Sequence, residues 1–108
     1  MRIWIDDVRY PPDNGKDWIW HKAINPALRF ITENVHLISV IDLDHDAGEF
    51  RRPYDNADYI VILQELERLE RRGKISCKHI QFRLHSMNPV GVQNMRAIIQ
   101  ANNWKEVF

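Results

Sequence analysis

The chain has 108 residues, enough for one domain with a real core, and 15 Lys+Arg against 15 Asp+Glu leave no formal net charge. That balance argues against a reader of long DNA or RNA duplexes, which is as a rule strongly basic, and leaves room for a small phosphate ligand or a single RNA end. The lone Cys77 forbids an intramolecular disulfide, no apolar segment follows Met1, and no run approaches ~18 apolar residues, so secreted and membrane readings fall away and a cytoplasmic protein is expected.

Ile3 to Ile5 is a short apolar run stopped by Asp6-Asp7, which reads as a first strand ending in carboxylates. Pro11-Pro12 and Asn14-Gly15 mark the stretch from Tyr10 to Lys16 as loop and turn. Trp18-Ile19-Trp20 reads as a brief strand. Ala23, Ala27, Leu28, Phe30 and Ile31 then fall at helical spacing, with the regular helix expected from Asn25 and Pro26 at its first position. Leu37 to Leu43 has the length and β-branched character of a central strand buried on both faces, interrupted by Ser39 and Asp42. It runs into Asp44-His45-Asp46 and a polar loop through Asn56.

The clearest helix follows, with Asp55 and Asp58 at a cap-like start, Tyr59, Ile62, Leu63, Leu66 and Leu69 on one face, and Gly73 as its stop. His79 to Leu84 alternates Ile80, Phe82 and Leu84 against polar neighbours, as a strand does, and ends in His85-Ser86-Met87-Asn88. Asn88 caps a final helix with Pro89 in its first turn and Val92, Met95, Ile98 and Ile99 on its apolar face. Asn103 to Phe108 is either a last short strand or a frayed end. Strands alternating with helices imply crossover connections and a mainly parallel sheet.

Ligands of such sheets bind beyond the carboxyl ends of the strands, and here three strands end in polar chemistry. Asp6-Asp7 offers adjacent carboxylates that suit a hard cation, Mg²⁺ or Mn²⁺. In Asp44-His45-Asp46 an imidazole that titrates near neutrality sits between two carboxylates able to fix its tautomer. His85-Ser86-Met87-Asn88-Pro89-Val90-Gly91 joins a strand end to a helix N-terminus, whose free N–H groups favour phosphate. Ser86 and Asn88 are candidate phosphate contacts, and Gly91 permits a close backbone approach. Arg9 either meets a phosphate or balances the carboxylates. Arg51-Arg52 forms a lid or simply a solvated loop, and Trp18 and Trp20 either stack a base or pack at the rim. His21, His36 and His79 lie outside the clusters and read as structural.

Three segments also carry a resemblance: Ile3-Trp4-Ile5-Asp6-Asp7-Val8-Arg9 with Pro11-Pro12, Asp44-His45-Asp46-Ala47-Gly48, and His85-Ser86-Met87-Asn88-Pro89-Val90-Gly91. In this order they resemble the D-D-x-R, D-H-D-x-G and H-S-x-N-P-V-G marks of the cyclic-phosphate-processing receiver domains. One departure is the loop Glu49-Phe50-Arg51-Arg52-Pro53-Tyr54-Asp55, which lacks the Gly-Tyr-Asp that often opens the next helix in that family. The resemblance implies a compact receiver-like (flavodoxin-like) three-layer α/β sandwich. It also implies action on cyclic phosphates, such as a nucleotide or RNA-end 2′,3′-cyclic phosphate.

With that resemblance, a phosphoesterase is the leading expectation. Asp6 and Asp7 with Asp46, or with Asp44 in its place, would hold the cation. Asp44, His45, Asp46 and His85 would form the catalytic group, the two histidines dividing general base and general acid, while Arg9, Ser86, Asn88 and Gly91 would bind substrate. A metal-free two-histidine mechanism is the variant. Phosphorelay receivers supply the rival: Asp6, Asp7 and Asp44 match their acidic pair and phosphoacceptor, but His85-Ser86 stands in the neighbourhood of their lysine. A degenerate receiver-like interaction domain without catalysis is the third reading.

Overall fold

The computed structural model describes residues 1–47 and 58–108. Five strands form one parallel sheet: β1 (Arg2–Ile5), β2 (Ile19–His21), β3 (Val40–Leu43), β4 (Gln81–Leu84) and β5 (Lys105–Glu106), in the spatial order β2-β1-β3-β4-β5. Among the described residues three α-helices connect them: α1 (Ile24–Asn34), α2 (Ile60–Arg71) and α3 (Pro89–Ala101). The tail from Asn103 is thus a strand at its centre, tied by the Val107 N–H to the Phe82 carbonyl.

Each helix carries the chain one way across the sheet, from β2 to β3, β3 to β4 and β4 to β5. Right-handed crossovers therefore place all three on one face, where α2 packs between α1 and α3. Register agrees. Ile3, Ile41 and Phe82 stand side by side, as do Ile5 and Leu43, and these join Ile31, Ile62, Leu66, Met95 and Ile99 in a single buried cluster. On the other face stand Trp4, Asp42 and Arg83 in one row. The receiver-like parallel sheet is as expected, but the third layer is thin. Among the described residues no helix covers this second face; Trp18 meets Trp4 edge-on at 5.7 Å and the loop after β1 closes one end.

Local differences from expectation have local causes. Helix α1 begins at Ile24 rather than Asn25, with Pro26 still in the first turn, where its missing N–H is harmless. Strand β3 starts at Val40 because Val35–Leu37 coil into a 3-10 turn. Asp55 and the loop 48–57, with Arg51-Arg52, lie outside the described residues. Asp58 does not cap α2; its Oδ1 accepts the Ala47 N–H at 3.2 Å. Helix α2 ends where Gly73 takes φ +73°, with the Lys74 N–H on the Leu69 carbonyl and the Gly73 N–H on that of Glu70, the Schellman arrangement. No helix among the described residues is long and apolar enough to cross a membrane.

Candidate functional site

Period-two alternation carries the polar face of the sheet past the strand ends. Asp6 follows Trp4, Asp44 follows Asp42, and His85 follows Arg83, all on the face opposite the helices. Asp6 is fully buried, and its Oδ1 accepts the backbone N–H groups of Val8 at 2.8 Å and Arg9 at 3.0 Å, folding the loop after β1 into a tight turn. Burial pushes the Asp6 carboxyl up, but these N–H groups and the His85 ring outweigh it, and its pKa falls below the usual carboxylate value.

His85 is held on three sides. Its Nε2 lies 2.8 Å from Asp6 Oδ2, its Nδ1 lies 2.6 Å from Asp42 Oδ1, and its ring stacks flat on Trp4 with centroids 3.9 Å apart. Both ring nitrogens are thus engaged by buried carboxyl groups. Asp42 also accepts from Arg83 at 3.1 Å. The His85 side chain is 7 % exposed. An acid or base needs a nitrogen within reach of substrate, and both nitrogens here are spent inside the protein. His85 thus braces β1, β3 and β4, with both ring nitrogens bonded inside the protein.

Beside this brace the carboxylate oxygens of Asp6, Asp7 and Asp44 approach within 4.8 Å of one another. Arg9 reaches over them, with Nε 3.7 Å from Asp6 Oδ2, Nη2 3.8 Å from Asp44 Oδ2, and Nη1 donating to the His85 carbonyl at 2.8 Å. Arg9 thus balances the carboxylates, one of its two expected roles. Among the described residues these three carboxylates share the strand ends with the Arg9 guanidinium, and their all-oxygen donor set fits Mg²⁺ or Mn²⁺. The same acidity reaches Tyr59, where burial and then Asp7, Asp6 and Asp44 push the phenol pKa upward. Its hydroxyl donates to the Lys22 carbonyl.

Asp46, expected as a cation ligand with Asp6 and Asp7, groups instead with His45 and Asp58. The chain turns after Asp44, whose Oδ1 takes the His45 N–H at 2.7 Å, and the turn sends Asp46 toward α3. Of the two acidic candidates, Asp44 joins the pair from β1. His45 Nδ1 lies 2.9 Å from Asp46 Oδ1, and among the described residues its Nε2 has no hydrogen-bond partner. The His45 ring lies against the first turn of α3. A Cβ on Gly91 would stand 2.4 Å from its Cγ, so glycine is required there to seat the ring.

The N-terminus of α3 serves itself more than expected. Asn88 Oδ1 accepts the Gly91 N–H at 3.0 Å, the Asn88 carbonyl accepts that of Val92 at 2.9 Å, and Pro89 has none, which leaves Val90. Ser86 Oγ accepts the Asn88 N–H at 3.1 Å, while Asn88 Nδ2 donates to Asp46 Oδ1 at 3.4 Å. Asn88 is the cap of α3, and Ser86 closes the turn before it. The structure thus assembles two adjoining groups at the strand ends, Asp6-Asp7-Asp44-Arg9 and His45-Asp46-Asn88.

Asp42 and Trp4, which seat His85, were missed as site residues. The available signal was the alternation Asp42, Asp44, Asp46 in phase with a strand otherwise built of Val, Ile and Leu. Of the histidines read as structural, His79 bonds the Val35 carbonyl at 2.8 Å and His21 packs against Phe30.

Neither the curated proteins nor the solved structures searched gave a match. A family model did, described as the cyclic-phosphate processing receiver domain, and it spans residues 1–101. With that match over nearly the whole length, on a parallel sheet of order β2-β1-β3-β4-β5, the chain belongs to the cyclic-phosphate processing receiver domains.

Proposed function

We propose that this domain is a phosphoesterase that opens a 2′,3′-cyclic phosphate on a nucleotide or an RNA end. The observation behind the reading is His45. Asp46 orients its Nδ1, its Nε2 is uncommitted among the described residues, and it stands one residue from the acidic pocket. A carboxylate–imidazole pair of this kind is suited to general acid–base work near neutral pH. His45 takes a proton from the attacking water as the new P–O bond forms. It returns a proton to the ribose oxygen as the old P–O bond breaks. Arg9 supplies positive charge toward the phosphoryl oxygens, and the Val90 N–H and the Ser86 hydroxyl remain as hydrogen-bond donors.

The grouping of three carboxylate oxygens within 4.8 Å supports a metal-assisted site. A divalent cation held by Asp6, Asp7 and Asp44 would polarise the phosphoryl oxygens when bound. We also place the domain in the cytoplasm. Its single thiol, Cys77, is buried, and burial pushes its pKa up to about 12, so it is inert and suited to a reducing compartment.

The test is turnover of a panel of 2′,3′- and 3′,5′-cyclic phosphates, with and without Mg²⁺ or Mn²⁺. The 2′,3′-compounds are expected to open, and His45→Ala should lower the rate by about 10²–10⁴-fold. A wild-type protein inert toward the whole panel would rule the reading out.

A further inference from the structure

Tyr10, directly after Arg9, is 77 % exposed, an unusual setting for a large ring. Its backbone is nonetheless tightly fixed. The Asp6 side chain folds the turn before it, the Trp4 indole N–H donates to the Arg9 carbonyl at 2.9 Å, and Pro11-Pro12 follow. The Tyr10 ring leans on Trp20 with centroids 5.0 Å apart and planes at 58°. Trp20 in turn donates its indole N–H to the Asp6 carbonyl at 2.7 Å, and the Lys22 ammonium lies 4.6 Å from its ring centroid. Two aromatic rings and an ammonium are thereby anchored to the backbone of the acidic strand end, on the β2 side. Val8, 72 % exposed, adds apolar surface on the same loop.

We propose that Tyr10 and Trp20 form a stacking platform for the nucleobase of the substrate, which makes the substrate class a nucleoside cyclic phosphate rather than a base-free one. This rests on the cyclic-phosphate reading above. Bases stack on aromatic rings irrespective of their hydrogen-bonding edges, and a ring held rigid before binding loses little entropy on doing so. Arg9 turns inward to the carboxylates while its neighbour Tyr10 faces solvent beside Trp20. A ligand whose phosphate meets the site beside Arg9 would extend its base along this loop toward Tyr10.

The experiment titrates adenosine 2′,3′-cyclic phosphate and glycerol 1,2-cyclic phosphate into wild-type protein, Tyr10→Ala and Tyr10→Phe, following tryptophan fluorescence and heat. The wild type should bind the nucleotide at least about 5-fold more tightly than the glycerol compound. Tyr10→Ala should lose about 5- to 150-fold for the nucleotide and nothing for the glycerol compound, and Tyr10→Phe should restore it. Equal binding of both ligands by the wild type, or nucleotide binding untouched in Tyr10→Ala, would overturn the platform while leaving cyclic-phosphate turnover standing. Tyr10-dependent nucleotide binding without turnover would keep the platform and sink the enzymatic reading. An oligoribonucleotide ending in a 2′,3′-cyclic phosphate, titrated alongside, separates the two sources of the same chemistry: tighter binding than the mononucleotide assigns the platform to RNA ends, and equal binding to free nucleotides.

Discussion

His85 Nε2 lies 2.8 Å from Asp6 Oδ2, a hydrogen bond between side chains that are 7 % and 1 % exposed. Its other nitrogen is equally committed, to Asp42. Removing the ring leaves one buried oxygen of Asp6 and one of Asp42 without the donor that faced it, a cost of about 3–5 kcal/mol together. His85→Ala should therefore lower the melting temperature by more than about 10 °C, as scanning calorimetry would show. A variant that keeps its stability and loses only turnover would restore His85 as an acid or base.

The depressed pKa of Asp6 has a direction in pH. Its folded value lies below the unfolded one, so its contribution to stability is present above the ordinary carboxylate range and is lost as pH falls through the folded value. Urea unfolding in metal-free buffer should find Asp6→Asn weaker than wild type by about 2 kcal/mol at about pH 7. The gap should narrow steadily toward about pH 3. A gap that does not change with pH would show that the carboxylate charge is not what stabilises the turn.

Gly91→Ala places a methyl group 2.4 Å from His45 Cγ. Either the ring or the first turn of α3 must shift to make room, and both displace the imidazole from its present seat. Turnover of a 2′,3′-cyclic phosphate should fall by about 10²-fold, the scale of a misplaced catalytic group. The melting temperature should change much less than in His85→Ala. Unchanged turnover would separate His45 from the chemistry.

Millimolar Mg²⁺ or Mn²⁺ should raise the melting temperature of the wild type, because the cation binds only the native arrangement. Asp7→Ala should abolish that rise, whereas Asp46→Ala should retain it, since Asp46 lies with His45 and Asp58 rather than with Asp6 and Asp7. The reverse pattern would move the cation site to the His45 group, and no shift in the wild type would favour a metal-free mechanism.

Acetyl phosphate should leave no stable phosphoaspartate on Asp44. His85, tied to two carboxylates, ends β4 where a phosphorelay receiver brings a lysine to balance the aspartyl phosphate. Intact-mass spectrometry reads the outcome directly: an added phosphate on Asp44, with no turnover of any cyclic phosphate, would make the domain a phosphoacceptor.

Much of the molecule was legible in the linear sequence because its signals are local. The apolar faces of α2 and α3, the Gly73 stop and the Asn88 cap depend on residues a few positions apart, and the order of elements forces parallel crossovers. The three polar strand ends were legible for the same reason. Only the tertiary structure decided which of those polar groups meet. The His85 bridge spans 79 residues to Asp6 and 43 to Asp42, distances over which only strand register determines which side chains share a face. Composition and motif cannot tell a free imidazole from a braced one. That depends on where the chain turns after Asp44, which directs Asp46 toward α3 and leaves His45, not His85, with an uncommitted nitrogen among the described residues.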